Sequence, residues 1–79
     1  MGCTNLGFNY ATGTGVPKDP SRANALYKQA CGGGYMRGCT NLGDSYESGT
    51  GVPKDLSRAN ALYKQACDGG YKNACDWVR

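Results

Sequence analysis

Hydrophobic residues fall at helical spacing in two kinds of segment along this chain. Cys39, Leu42, Gly43 and Tyr46 stand at i, i+3, i+4 and i+7, one face of an α-helix. Ala59, Leu62, Tyr63 and Ala66 repeat that spacing in the segment that follows. The first helix (helix A) is expected to end near Ser48, because Gly49 can take the left-handed conformation that terminates helices. Gly49-Thr50-Gly51-Val52-Pro53-Lys54 then reads as a loop, its two glycines and proline disfavouring continued helix. Asp55 is placed to cap the second helix (helix B), accepting from backbone N–H groups that have no partner within the helix. Helix B should stop at Asp68-Gly69-Gly70, and no segment reads as a strand. Gly43 in mid-helix costs about 1 kcal/mol against alanine, which makes sense if helix B crosses there and needs close backbone approach.

The same A–loop–B pattern occurs one period of 36 residues earlier. Cys3-Thr4-Asn5-Leu6-Gly7 returns as Cys39 to Gly43, and Ser21 to Cys31 returns letter for letter as Ser57 to Cys67. Of the 34 aligned pairs from Gly2/Gly38 to Tyr35/Tyr71, six differ: 8/44, 9/45, 11/47, 12/48, 20/56 and 32/68. In the earlier copy Asp19 is the cap and Pro20 takes the first helical position, where its missing donor costs nothing. A third copy opens at Ala74-Cys75. A period in this range marks stacked supersecondary units, each covering its neighbour's apolar face. The expected architecture is an all-α, α/α-hairpin solenoid in a single domain over residues 1–79, with units at 2–37 and 38–73 and a partial unit at 74–79. Met1 falls where Arg37 and Asn73 stand in later copies, so the chain is expected to be a piece of a longer array.

Size makes the cysteines important. Seventy-nine residues give a marginal core, and chains this small usually need covalent or metal staples. The 5 cysteines fall as Cys31-x7-Cys39 and Cys67-x7-Cys75, with Cys3 left over, and there is no histidine. Zinc favours tighter cysteine pairs, usually with histidine, so disulfides fit better and metal binding is not expected. Cys31 ends one helix B, Cys39 begins the next helix A, and Gly32-Gly33-Gly34 turns the chain back between them. Residues on either side of such a reversal can meet the Cα separation of about 4.4–6.8 Å that a disulfide requires. Cys31–Cys39 and Cys67–Cys75 are therefore the expected bridges, with Cys3 unpaired; disulfides imply an oxidising compartment.

Net charge is +3, but Lys18/Lys54, Arg22/Arg58 and Lys28/Lys64 recur with the repeat and do not cluster. They read as solvated helix faces, not as a nucleic-acid footprint. No apolar run approaches the ~20 residues of a membrane span, so no membrane insertion is expected. Met1 to Leu6 carries no apolar h-region of a signal peptide.

Leu-Gly-x-x-Tyr in helix A with Ala-x3-Tyr in helix B is close to the tetratricopeptide pattern. The longer Gly-Thr-Gly-Val-Pro-Lys-Asp connection and the period of 36 depart from it, and that combination resembles the Sel1-like repeat. The cysteines seven residues apart narrow the resemblance to the cysteine-rich subfamily typified by the Helicobacter cysteine-rich proteins. The resemblance implies a right-handed superhelix of hairpins, each stapled by a disulfide. It implies an adaptor role in protein complexes and a secreted or periplasmic location. It also implies an alternative, because some cysteine-rich members are described as penicillin-binding, weakly β-lactam-hydrolysing proteins.

The residues offer that alternative no catalytic group. Ser21, Ser45, Ser48 and Ser57 are followed three places on by Asn24, Ser48, Gly51 and Asn60, so the Ser-x-x-Lys of serine β-lactamases is absent, as is any Lys-Thr-Gly. Without histidine there is no Ser/His or Cys/His pair. The Gly-Thr-Gly-Val-Pro-Lys loop lacks the Lys-Ser/Thr of a phosphate-binding loop. Asp44 and Glu47 at i,i+3 read as solubilising charges on an exposed face, and no cofactor is expected.

In stacked hairpins helix A lines the concave surface. Four of the six differing pairs (8/44, 9/45, 11/47, 12/48) are expected at exposed helix A positions, a fixed frame with one changing surface. The expected function is thus non-catalytic binding of a partner protein or extended peptide through Thr4, Phe8, Ala11, Arg37, Thr40, Asp44, Glu47 and Asn73. A purely structural role within a longer solenoid is the third reading, with self-association through uncapped repeat ends.

Overall fold

In the computed structural model, residue 7 and residues 9–78 are described; Cys3, Thr4 and Phe8 lie outside them. Residues 9–12 are helical, and four further helices follow: α1 (Pro20–Gly32), α2 (Met36–Ser48), α3 (Leu56–Asp68) and α4 (Lys72–Cys75). In repeat terms α1 and α3 are helices B, α2 is the second helix A, and α4 opens the third unit. No strand occurs among the described residues.

The helix ends follow from the expected chemistry. The Asp19 carboxylate accepts from the Arg22 backbone N–H at 3.2 Å, and Asp55 accepts from that of Arg58 at 3.0 Å. Pro20 begins α1. Gly49 ends α2 at φ 74°, in the left-handed region. Each A–loop–B hairpin is then closed by the same backbone bond, Asp19 N to Tyr10 O at 2.7 Å and Asp55 N to Tyr46 O at 2.9 Å.

Helix α2 packs between α1 and α3, and α4 packs on α3. One apolar cluster holds Cys31, Cys39, Ala66 and Ala74; another holds Ala23, Tyr27 and Leu42; Leu62 packs against both and joins them into one core. Close approach depends on glycine at two positions. A Cβ on Gly43 would lie 2.8 Å from Cε1 of Tyr63 and 3.3 Å from the Ala59 carbonyl, so α3 crosses α2 there as expected. Gly38, which periodicity does not single out, is tighter. Its Cβ would lie 2.9 Å from the Tyr27 carbonyl and 3.0 Å from the Cys31 nitrogen, both backbone atoms of α1.

Beside Gly38 the two helices are covalently joined. Cys31 is bonded to Cys39 with Cα atoms 4.6 Å apart, and Cys67 to Cys75 with Cα atoms 4.8 Å apart. The first bridge is buried, whereas Cys75 of the second is exposed. Successive repeats are fastened by a polar contact as well: buried Asn24 of α1 donates from Nδ2 to the Thr50 carbonyl in the next loop at 2.8 Å. Gly51 packs against Pro20 so closely that a Cβ would come within 2.7 Å of its carbonyl carbon.

Candidate functional site

Between the first helix A and α2 runs an open groove of about 230 Å³, lined by Ala11, Tyr27, Asn41, Asp44, Ser45, Ser48 and Thr50. Four of the seven come from α2, at positions 41, 44, 45 and 48, the stripe that helical geometry turns to one side. Gly7 and Gly43 set the depth. Each leaves room for the tyrosine of its own helix B: a Cβ on Gly7 would lie 2.8 Å from Cε1 of Tyr27, as one on Gly43 would from Tyr63.

The two tyrosines are equivalent in sequence and differ in what their hydroxyls meet. Tyr63 donates to Oδ1 of Asp44 at 2.6 Å and to Oε2 of Glu47 at 2.8 Å. Asp44 and Glu47 are therefore a paired acceptor set around a buried phenol; Asp44 is exposed, as its spacing suggested, and Glu47 is half-buried. The counterparts of Asp44 and Glu47 one repeat earlier are Phe8 and Ala11, which carry no acceptor. A phenol has one proton, so the two carboxylates compete for it.

Burial governs the titration of this cluster. Desolvation raises the Asp44 carboxyl above the usual carboxylate range; the Tyr63 hydrogen bond pulls it back, and the Glu47 charge adds to the rise. The Tyr63 phenol is pushed up, first by burial and then by its two carboxylate partners. Tyr27 is raised too, by burial and by the field of Asp44, which lies along the same groove.

The expected surface residues separate. Ala11 and Asp44 meet in the groove. Glu47 borders a crevice of about 10 Å³ on the other side of Tyr63, with Leu56, Ala59, Asn60 and Trp77. Thr40 is 3 % exposed and donates to the Met36 carbonyl at 3.1 Å within its own helix, so it offers nothing outward. Arg37 and Asn73 are exposed but do not line the groove. Thr4 and Phe8 lie outside the described residues. Ser45, expected on the surface, is buried, its hydroxyl donating to the Asn41 carbonyl at 3.3 Å. Asn41, Thr50 and Tyr27 are lining residues that the sequence does not single out, and Ser48, expected as an exposed helix A position, lines the groove as well. Asn41 and Ser48 sit one turn either side of Asp44, and that spacing was the available signal.

On the opposite face a larger apolar trough of about 410 Å³ lies between α1 and α3, lined by Lys28, Cys31, Leu42, Tyr46, Arg58 and Leu62 among others. Arg58 stacks over Tyr46 at 5.5 Å, as Arg22 stacks over Tyr10 at 5.4 Å. These periodic arginines are thus packed on the hairpins they belong to. Among the described residues no three metal-ligating side chains converge, and no helix is long and apolar enough to cross a membrane.

The family model for the Sel1 repeat matches residues 1–35 and 37–71. Cysteine rich protein B of Helicobacter pylori is 36% identical with a TM-score of 0.92, over 98% of this chain and 58% of that one. A Sel1 repeat protein from Oxalobacter formigenes is 33% identical with a TM-score of 0.93, over 96% of this chain and 31% of that one. A protective antigen of uropathogenic Escherichia coli strains, described as displaying an SLR fold, is 29% identical with a TM-score of 0.85, over 91% of this chain and 15% of that one. The chain thus spans less than two thirds of each of these structures. None of the curated proteins matches it.

Proposed function

Because the chain belongs to the Sel1 repeat family, whose scaffolds typically mediate protein–protein interaction, we propose that it binds an extended peptide or partner protein through the groove on its helix A face. The observation that carries this reading is the composition of the wall. Asp44 and Ser48 line it and stand at positions that differ between otherwise near-identical repeats, while the glycines and tyrosines that shape it are the same in both. A fixed frame with a changing inner surface suits recognition. The two disulfides fit a secreted or periplasmic setting.

Selection of a random linear peptide library on the immobilised, oxidised chain tests the proposal. Enriched peptides should lose binding to Asn41→Ala and Asp44→Ala variants and keep it to Gln65→Ala, which alters the opposite trough. Enrichment that depends on Gln65 and ignores Asp44 would place binding on the wrong face.

A second reading concerns the far end of the molecule. Leu56 and Trp77 are 51% and 42% exposed at the face where a further repeat would stack, which favours self-association or extension there. Light scattering of wild type against Trp77→Ser separates the two: a concentration-dependent mass that the substitution abolishes supports it, and an unchanged monomer refutes it.

A further inference from the structure

We infer that the occupant of the groove presents a basic side chain, arginine or lysine, to Asp44 and Tyr27, a conclusion that rests on the helix A face being the binding surface. The argument starts from which hydrogen-bonding capacity the wall has left. The hydroxyl protons of Ser45 and Ser48 go to carbonyls of their own helix, Asn41 O at 3.3 Å and Asp44 O at 3.0 Å, so outward they offer oxygen lone pairs. The Thr50 hydroxyl is paired with that of Ser48 at 2.7 Å, and the Thr50 carbonyl already accepts from Asn24. Asp44 uses Oδ1 for Tyr63, and its Oδ2 takes no hydrogen bond from a described residue. Apart from the Asn41 amide, the wall therefore presents mainly acceptors.

Tyr27 is the second and independent sign. It is 4 % exposed and lines the groove, and no side chain among the described residues is hydrogen-bonded to its hydroxyl. Buried polar groups in folded proteins are nearly always partnered, and its equivalent Tyr63 has two partners. A group entering the groove beside Asp44 would meet the Tyr27 oxygen as well. Guanidinium and ammonium groups carry donors and no acceptor, so one can donate to the Tyr27 oxygen, leaving the phenol proton for an acceptor elsewhere on the occupant, and supply a counter-charge that no described residue gives Asp44. The chain as a whole carries +3, so attraction of a cation here is a property of this wall and not of the molecule's net field. Arg37 lies two turns toward the start of α2 on the same side, about 10 Å away along the axis, and its like charge gives the bound segment a direction.

The test is an amide-resolved NMR titration of the oxidised chain with three capped pentapeptides, Gly-Ala-X-Ala-Gly, where X is arginine, citrulline or glutamate. Citrulline keeps the shape of arginine and removes its charge. The expected result is saturable shifts at the amides of Asn41, Asp44, Ser45 and Ser48 with the arginine peptide, roughly tenfold weaker with citrulline and absent with glutamate. Asp44→Asn should bring the arginine peptide down to the citrulline level, and Tyr27→Phe, which keeps the ring and its packing, should weaken it several-fold. Shifts at the same amides that are equal for all three peptides would overturn the basic side chain and leave the groove standing. Absence of shifts at those amides with every peptide would overturn both.

Discussion

Tyr63 of α3 donates its phenolic proton to Asp44 of α2 across 2.6 Å, tying the two helices of the second hairpin together at the edge of the groove. The equivalent tyrosine one repeat earlier, Tyr27, stands where the corresponding acceptors have become Phe8 and Ala11. Two of the six positions that distinguish the repeats therefore decide whether a buried phenol is satisfied from within its own hairpin. The difference gives the groove its carboxylate at Asp44 and leaves the Tyr27 hydroxyl with no hydrogen-bonding side chain among the described residues.

The Asp44 contact should be visible as a pH dependence of stability. Its carboxyl is raised in the fold by desolvation, so from about pH 4 upward the native state holds more protons than the unfolded one. Stability from this group is full below the unfolded value and falls as pH rises through the folded value. Melting curves between pH 4 and 7 should show wild type losing ground relative to Asp44→Asn, which keeps an acceptor for Tyr63 without the charge. Parallel pH profiles for the two proteins would refute the linkage.

Alkaline titration gives an independent check on the phenols. Tyr27 and Tyr63 are both raised, burial being the first cause in each, so of the 6 tyrosines these two should ionise late. Since unfolded tyrosines ionise near pH 10, stability should decline above that point. Ultraviolet difference spectra should show a late ionisation step that coincides with loss of helix by circular dichroism. Complete ionisation of all tyrosines with the helices intact would contradict the buried placement.

Each disulfide closes a short loop, with a sequence separation of 8, and should contribute about 2–3 kcal/mol in the chain-entropy model. For a domain of this size, full reduction should lower Tm by at least ~10 °C. The order of reduction should follow access: Cys75 is exposed while Cys31 and Cys39 are buried, so mild reductant should open Cys67–Cys75 first. Alkylation at successive times followed by peptide mapping measures this. Label at Cys31 and Cys39 before Cys67 and Cys75 would be the contrary result.

Glycine substitutions should separate the two close approaches. On helix propensity alone, Gly38→Ala and Gly43→Ala would each stabilise by about 1 kcal/mol. Both should instead destabilise, because the new methyl has no room. Gly38→Ala should be the worse, by ~1 kcal/mol or more, since it meets backbone of α1 while Gly43→Ala meets chiefly a tyrosine ring. Urea unfolding decides the order, and a Gly38→Ala protein as stable as wild type would show that α1 and α2 pack less tightly than described.

The hairpins were legible in the sequence because their signals are local. The caps Asp19 and Asp55, the left-handed Gly49 and the apolar spacing each depend on a few neighbouring residues, and the period repeats every one of them. The bridges were legible for the same reason: the turn at Gly32-Gly33-Gly34 returns Cys39 to Cys31 within one supersecondary unit. Side-chain roles on helix A were less so. Thr40 and Ser45 are polar yet buried, each satisfied by a carbonyl of its own helix, and periodicity cannot separate such a residue from an exposed one. The role of Asp44 and Glu47 as acceptors was not legible because their donor, Tyr63, lies on another helix. Gly38 was passed over because what it accommodates is backbone from a neighbouring helix, and that backbone leaves no residue-type signature.

Hydrogen exchange by mass spectrometry, on the oxidised chain with and without a peptide selected on it, bears most directly on the claim that the helix A face is the binding surface. Amides of α2 from Asn41 to Ser48 should exchange more slowly in the complex, while those of α3 from Ala61 to Gln65 stay unchanged. Protection confined to α1 and α3 along the opposite trough, with α2 unaffected, would contradict the account.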